Sequence, residues 1–153
     1  MAKPFSILAV ETIAAPPERV FELMNDLGRL DEWSPFAQMD PNITSMVSDP
    51  AVGVGASYEW AGKRVGTGRM RIVRSQPSTE IDLAMEFLAP MASTSQVDYC
   101  LEPVAGGTMV TWRMSGERGV GGRIVAGLLR MDAMMAGNFA DGLRSLKALA
   151  EAA

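Results

Sequence analysis

Apolar residues recur at two different periods along this chain, and the changes between them mark its elements. Phe5 to Ile13 is rich in apolar and β-branched residues and predicts a first strand, which stops at Ala14-Ala15-Pro16-Pro17. Pro17 fits the first turn of a helix, where its missing N–H costs nothing, and Glu18 suits the positive helix N-terminus. Val20, Phe21, Met24 and Leu27 then recur at helical spacing, which predicts a short amphipathic helix from Pro17 to about Asp26. A second helical turn is expected over Leu30 to Trp33, ended by Ser34-Pro35.

From Ile43 to Glu117 the pattern is that of strands and tight turns. A weak strand over Ile43 to Ser48 precedes a clearer one over Ser57 to Trp60, which turns through Ala61-Gly62-Lys63 into a long strand from Val65 to Gln76. After the turn signal Pro77-Ser78, Ile81, Leu83, Met85 and Phe87 take one face of a strand while Glu80, Asp82 and Glu86 take the other, until Pro90 interrupts it. A hairpin follows, Thr94 to Val104 and Thr108 to Glu117, joined by Ala105-Gly106-Gly107. Its inward sets are Val97, Tyr99 and Leu101 on one arm and Val110, Trp112 and Met114 on the other.

Beyond the breaker Gly119-Val120-Gly121-Gly122 the period becomes helical and stays so. Ile124, Leu128, Met131, Met135, Phe139, Leu143 and Leu146 form one stripe of a helix of about 30 residues, with Arg130, Asp141, Arg144 and Lys147 on its polar side. Gly127, Gly137 and Gly142 each weaken that helix by up to ~1 kcal/mol relative to Ala, so tertiary packing has to stabilise it. No repeat or linker divides the chain, and residues 1–153 read as one domain. The expected fold is α+β: a curved antiparallel sheet of about six to seven strands wrapped around a long C-terminal helix, with two short helices after the first strand. The helix stripe is the one large element able to cover the sheet's apolar face, and a sheet curved around a single helix leaves interior space where small-molecule sites form.

Composition narrows the chemistry of that space. The 153 residues include no histidine and one cysteine, Cys100, which removes histidine-based nucleophile pairs, imidazole bases, His-ligated metal sites and any internal disulfide. No metal site and no cofactor are expected: Gly66-Thr67-Gly68 and Gly119 to Gly122 lack the strand-glycine-helix context of a dinucleotide fingerprint and read as turn or bulge glycines. Cys100 reads as an inert strand thiol. The net charge of −4 and the scattered cations, apart from Arg69, Arg71 and Arg74, argue against a nucleic-acid partner. No apolar run approaches the ~20 residues of a membrane span, and the opening residues lack a signal-peptide pattern, so a cytoplasmic protein is expected.

The candidate ligand-binding wall comprises Tyr58, Trp60, Met70, Met85, Phe87, Tyr99 and Trp112 from the sheet, Met131 and Met135 from the helix, and Trp33 at the lip. Methionine adapts to varied apolar partners, though it also fills ordinary core gaps, and the chain has 12 of them. Buried Tyr O–H and Trp N–H groups need acceptors, which a ligand, a backbone carbonyl or a trapped water can each supply.

The run Ile13-Ala14-Ala15-Pro16-Pro17-Glu18-Arg19-Val20-Phe21, then Trp33-Ser34-Pro35, resembles the opening of the SRPBCC or START-like (Bet v 1-like) superfamily, in its polyketide cyclase/dehydrase-like branch. Gly55 to Trp60, Gly66 to Met70, Leu101-Glu102-Pro103, Gly107 to Trp112 and Met131-Asp132 with Phe139 and Gly142-Leu143 extend the resemblance over nearly the whole chain. It implies a helix-grip fold with a deep hydrophobic cavity, but no family-wide catalytic set, and no catalytic residue is assigned. Three readings stand. The first is a binder or carrier of a small hydrophobic, lipid-like or aromatic molecule. The second is a cofactor-independent cyclase or dehydratase working through groups such as Tyr99, Glu59, Glu86 or Asp132. The third is a protein-interaction module, modulating a partner or forming a homodimer, using exposed apolar loops around Pro41 to Val54 or Pro90 to Met91.

Overall fold

The computed structural model describes residues 2–36, 40, 42–63, 66–89, 93–119 and 125–152 and, within these, all side chains but those of 2–5, 89, 93, 117–119 and 125–134. Strand β1 (Ala2–Ile13) leads into helix α1 (Pro17–Asn25) and a 3-10 helix (Leu27–Glu32). Six strands follow: β2 (Thr44–Val47), β3 (Ser57–Gly62), β4 (Gly66–Gln76), β5 (Glu80–Ala89), β6 (Ser93–Val104) and β7 (Gly107–Gly119). Helix α2 (Val125–Glu151) ends the chain's ordered elements. The strands form one seven-stranded sheet in the order β1-β7-β6-β5-β4-β3-β2, with every neighbouring pair antiparallel. This is the antiparallel sheet with a long C-terminal helix expected from the periodicities, and the helix-grip fold that the resemblance implies. Pro90, Val120 to Ile124 and Val65 lie outside the described residues, as do the side chains of Leu128 and Met131.

Two boundaries differ from the expectation for identifiable reasons. The second helical turn begins earlier and is 3-10, because the Asp26 carboxylate caps it by accepting from the Gly28 N–H at 2.9 Å, while the Leu27 N–H bonds the Ala51 carbonyl. The sheet's curvature comes from register shifts in the β4–β5 pair between Thr67 and Gly68 and between Ile72 and Arg74. A bulge leaves one residue unopposed and bends its strand. Val73 and Leu88 are skipped in this register, and both side chains are exposed; after Val73 the alternation shifts by one, so that Arg74 faces outward too.

The core lies between the concave face of the sheet and α2. Ile7, Ala9 and Ile13 of β1, Ile81 and Leu83 of β5, Val97 and Leu101 of β6 and Val110 of β7 are buried there, and Phe139, Leu143, Leu146 and Ala150 of α2 meet them. Helix α1 seals one end with Val20, Leu23 and Met24. The last turns of α2 are tied to the end of β1: Lys147 Nζ donates to the Thr12 carbonyl at 2.8 Å, and Glu151 accepts from the Ala14 N–H at 2.8 Å. The β6–β7 hairpin turns through Ala105-Gly106, with Gly106 at φ 83°. Gly107 then starts β7 against the Ile13 carbonyl, so close that a Cβ has no room there.

Candidate functional site

Two aromatic groups line the interior, separated by one cross-strand row. The deeper group forms where β6, β7, α2 and the end of the 3-10 helix converge. Tyr99 and Trp112 are cross-strand partners, and Trp33 packs on both: centroids are 6.0 Å apart for Trp33–Tyr99, 5.7 Å for Trp33–Trp112 and 5.7 Å for Tyr99–Trp112. All three contacts are edge-to-face, which sets the positive edge of one ring against the negative face of the next. Phe139 of α2 stacks on Trp112 at 4.2 Å and 7°, and Phe36 meets Phe139 edge-on at 6.4 Å. Gly142, one turn along α2, makes the fit possible, since a Cβ there would stand 2.8 Å from Pro35 Cδ and 3.0 Å from Trp112 Cζ3.

The polar edges of this group are not satisfied. Trp33 is 0% exposed and Trp112 3%, and neither indole Nε1–H has a hydrogen-bond partner. Leaving a buried donor unpaired costs about 1–3 kcal/mol each, so two adjacent orphans are unusual for a core that serves packing alone. Burial by itself pushes the Tyr99 hydroxyl above its ordinary range, with no hydrogen bond contributing, so it stays a phenol at neutral pH.

The second group sits toward β2 and β3. Trp60 lies 6.2 Å from Tyr58 and 5.7 Å, edge-on, from Phe87. Gly68 stands between Trp60 and Phe87 in the sheet register, and the Trp60 ring occupies the space that a Cβ at 68 would take. Met70 and Met85 pair with each other beside Tyr58, and the row formed by Ile72, Leu83, Val97 and Met114 separates them from Tyr99 and Trp112. Tyr58 Oη donates to Asp31 Oδ1 at 2.6 Å, and Ser45 Oγ donates to Asp31 Oδ2 at 3.3 Å. Burial first, then this carboxylate, holds the Tyr58 hydroxyl protonated well above its ordinary range.

Of the sequence-derived wall, Trp33, Tyr99 and Trp112 thus come together in one cluster, and Tyr58, Trp60, Met70, Met85 and Phe87 in another. Trp33 is no lip residue: it is fully buried, because the turn ending at Ser34-Pro35 folds it under α2. Met135 is half-buried against the core, and Met131's side chain lies outside the described residues. Phe139 and Phe36, which are not among the sequence-derived residues, pack into the first cluster. Phe139 was visible as a member of the helix stripe, whereas nothing near Phe36 signalled its position. Asp31, which holds Tyr58, is 27 residues away and carried no motif.

The carboxylates considered for acid-base work lie elsewhere. Glu59 is exposed, and Glu86 pairs with Arg69 at 2.7 Å on the outer face of the sheet; Asp132's side chain lies outside the described residues. A groove of about 620 Å³ runs past Glu59, Arg69, Arg71 and Glu86 and is also lined by Met70 and Met85, two residues of the predicted wall. Asp82 is also on the outer face but is 9% exposed, beside Glu80 and Asp98, with Oδ1 unpartnered and Arg74 no nearer than 3.8 Å to Oδ2. Burial and the neighbouring carboxyls push it up to about 6. Burial and nearby carboxylates likewise raise the Cys100 thiol, which disfavours the reactive thiolate. Among the described residues, no group of three or more Cys, Asp or Glu is placed to hold a metal ion, and no helix is long and apolar enough to cross a membrane.

The profile of the family described as polyketide cyclase/dehydrase and lipid transport matches residues 5–151. The chain belongs to this family. No curated protein matches the sequence significantly. Among solved structures, a protein of Rhizobium leguminosarum shares 16% identity and a TM-score of 0.72, over 99% of this chain and 97% of that one. The Ara h 8.0201 structure shares 13% identity and a TM-score of 0.65, over 97% and 98% of the two chains. Aha1 of Colwellia psychrerythraea, solved as a dimer, shares 18% identity and a TM-score of 0.64, over 94% and 93%. At these identities the likeness establishes the Bet v 1-like helix-grip fold, and family membership makes binding of hydrophobic small molecules the general setting in which the site is read.

Proposed function

We propose that this protein binds a small hydrophobic molecule, aromatic or lipid-like, in the interior between the concave face of the sheet and α2. The observation that carries this reading is the pair of buried indole donors, Trp33 Nε1 and Trp112 Nε1, left without partners inside a cluster that is otherwise closely packed. Family membership supports it. Carriage rather than catalysis is favoured by the placement of charge. Glu59 and Glu86 face outward, and the two interior hydroxyls, Tyr58 and Tyr99, are held protonated, so they are hydrogen-bond donors and not bases at neutral pH.

A cyclase or dehydratase reading has one specific observation behind it, the Tyr58–Asp31 pair, which would let a phenol give up a proton to a bound molecule and recover it through the carboxylate. The Aha1 structure, solved as a dimer, is the support for a homodimer as a third reading. Native mass spectrometry of freshly purified protein, followed by thermal melts with a panel of lipids and aromatics, tests the main reading. A retained small molecule or saturable stabilisation is expected. An unliganded mass together with no response to the panel would overturn it.

A further inference from the structure

We propose that the free edge of β1, from Ser6 to Val10, pairs antiparallel with the same edge of a second copy of this chain about a two-fold axis at Leu8, joining two sheets into one. The inference is independent of the interior ligand site; it rests on the homodimer reading and gives that reading a surface and a register.

Strand β1 lies at one end of the sheet and, among the described residues, pairs with β7 alone. Which way its backbone groups point follows from Thr12. The Thr12 N–H donates to the Glu11 carboxylate at 3.1 Å and its carbonyl accepts from Lys147 Nζ at 2.8 Å, so both face away from β7. Along an antiparallel strand this direction alternates from residue to residue, and the β1–β7 register runs without a shift from Ala2 to Ile13. Ser6, Leu8 and Val10 therefore turn their N–H and C=O groups outward as well. Among the described residues nothing bonds those groups.

An open strand edge is ordinarily blunted by a charge, a proline or a bulge. Here such devices stand only at the two ends of the open stretch. Pro4 has no N–H to offer, and at Thr12 the outward groups are already taken by Glu11 and Lys147, with Glu151 closing the Ala14 N–H behind them. Between these ends the outward residues are uncharged and exposed, Leu8 and Val10 at 49% each. The opposite edge strand, β2, has 4 residues, too few to hold a pairing by itself.

Symmetry selects a second copy over any other strand. Pro4 and Thr12 are equidistant in sequence from Leu8, so two such edges laid antiparallel with Leu8 opposite the partner's Leu8 bring Ser6 against the partner's Val10 and Pro4 against the partner's Thr12. Every open donor then meets an open acceptor, giving about six hydrogen bonds, and the N–H that Pro4 lacks falls opposite the carbonyl that already has its donor. A slip of two residues either way sets Pro4 or Thr12 against an open group and leaves it unpaired. The same register covers the exposed Leu8 and Val10 side chains on the convex face. A strand pair of this length is a weak, concentration-dependent interface, specified by donor–acceptor complementarity more than by area.

Sedimentation equilibrium and hydrogen exchange from low-micromolar to near-millimolar protein test the proposal. A dimer is expected, with the amides of Ser6, Leu8 and Val10 gaining protection as it forms while those of Ile7 and Ala9, already bonded to β7, change little. In mixed ¹³C-labelled and unlabelled protein the α proton of Ile7 should contact that of the partner's Ala9, the close non-hydrogen-bonded pair of this register. Leu8→Lys sets two like charges opposite each other at the axis and is expected to weaken the dimer roughly tenfold. Val73→Lys, at an exposed apolar position on β4, should leave it unchanged, and far-UV circular dichroism checks that both variants fold. Monomer at every concentration would overturn the proposal and the homodimer reading together. A dimer that Leu8→Lys leaves intact, or one without the Ile7–Ala9 contact, would overturn the β1 pairing alone.

Discussion

Two glycines of α2, five residues apart, provide a controlled test of how the helix meets the aromatic cluster. Gly137 is exposed and a Cβ built on it meets nothing within 4 Å, whereas one built on Gly142 lies 2.8 Å from Pro35 Cδ and 3.0 Å from Trp112 Cζ3. Replacing either by Ala removes the same helix-propensity penalty, about 0.8–1 kcal/mol. Carbon atoms pack best at about 3.5–4.0 Å, so at position 142 the neighbours would have to retreat by roughly 0.5–1 Å. Both neighbours are ring atoms, and Trp112 is itself wedged between Phe139, Tyr99 and Trp33, so neither yields easily. Overpacking of this kind costs about 1–3 kcal/mol. Gly137→Ala is therefore expected to stabilise the protein by up to about 1 kcal/mol, and Gly142→Ala to be neutral or destabilising by as much as about 2 kcal/mol. Urea denaturation with an unchanged m-value measures both, and the difference between the variants isolates the clash, because the propensity gain is common to them. Near-UV circular dichroism should change for Gly142→Ala alone. Equal stabilisation by the two substitutions would show that α2 does not press on Trp112 as described.

Other consequences follow from single groups. Asp82 holds its proton more tightly in the folded chain, at about 6, than in the unfolded chain, so stability falls as the pH rises through that interval from about 4. Asp82→Asn should flatten this slope in pH-dependent melts and raise stability at pH 7 by on the order of 1 kcal/mol; a slope as steep as wild type would contradict the assignment. Thr108 Oγ1 donates to the Ala15 carbonyl at 2.8 Å in a buried setting, and Thr108→Val should cost about 1–3 kcal/mol in urea midpoints. Tyr58→Phe should cost about 1 kcal/mol and lessen the further effect of Asp31→Ala in the double variant, since both remove the Tyr58–Asp31 hydrogen bond; fully additive losses would count against the pair.

The parts of this fold that were legible in the sequence are those set by period. The alternation Ile81, Leu83, Met85, Phe87 and the stripe Phe139, Leu143, Leu146 each report a face, and a face is all that a regular element needs to reveal. What periodicity does not carry is how faces come together. Trp60 and Tyr99 share the concave side, but the register puts Met70, Met85 and their neighbouring row between them, and so divides one expected wall into two clusters. Trp33 was misplaced at the lip because the path of the chain after a short 3-10 helix depends on the Asp26 cap and the bond from Leu27 to Ala51, neither of which has a sequence period. The bulges at Val73 and Leu88 were invisible for the same reason, since they break the pattern on which strand reading depends.

The central claim, that the aromatic interior is a ligand site, is tested most directly at the indole nitrogens themselves. In ¹H–¹⁵N spectra the three tryptophans, Trp33, Trp60 and Trp112, give three separate Nε1–H signals that single Trp→Phe variants assign. Titration with 9-fluorenone is expected to move the Trp33 and Trp112 signals together, saturably and downfield, as their unpaired donors acquire an acceptor. Saturation of binding with both signals unmoved would place the molecule elsewhere on the protein and contradict the account.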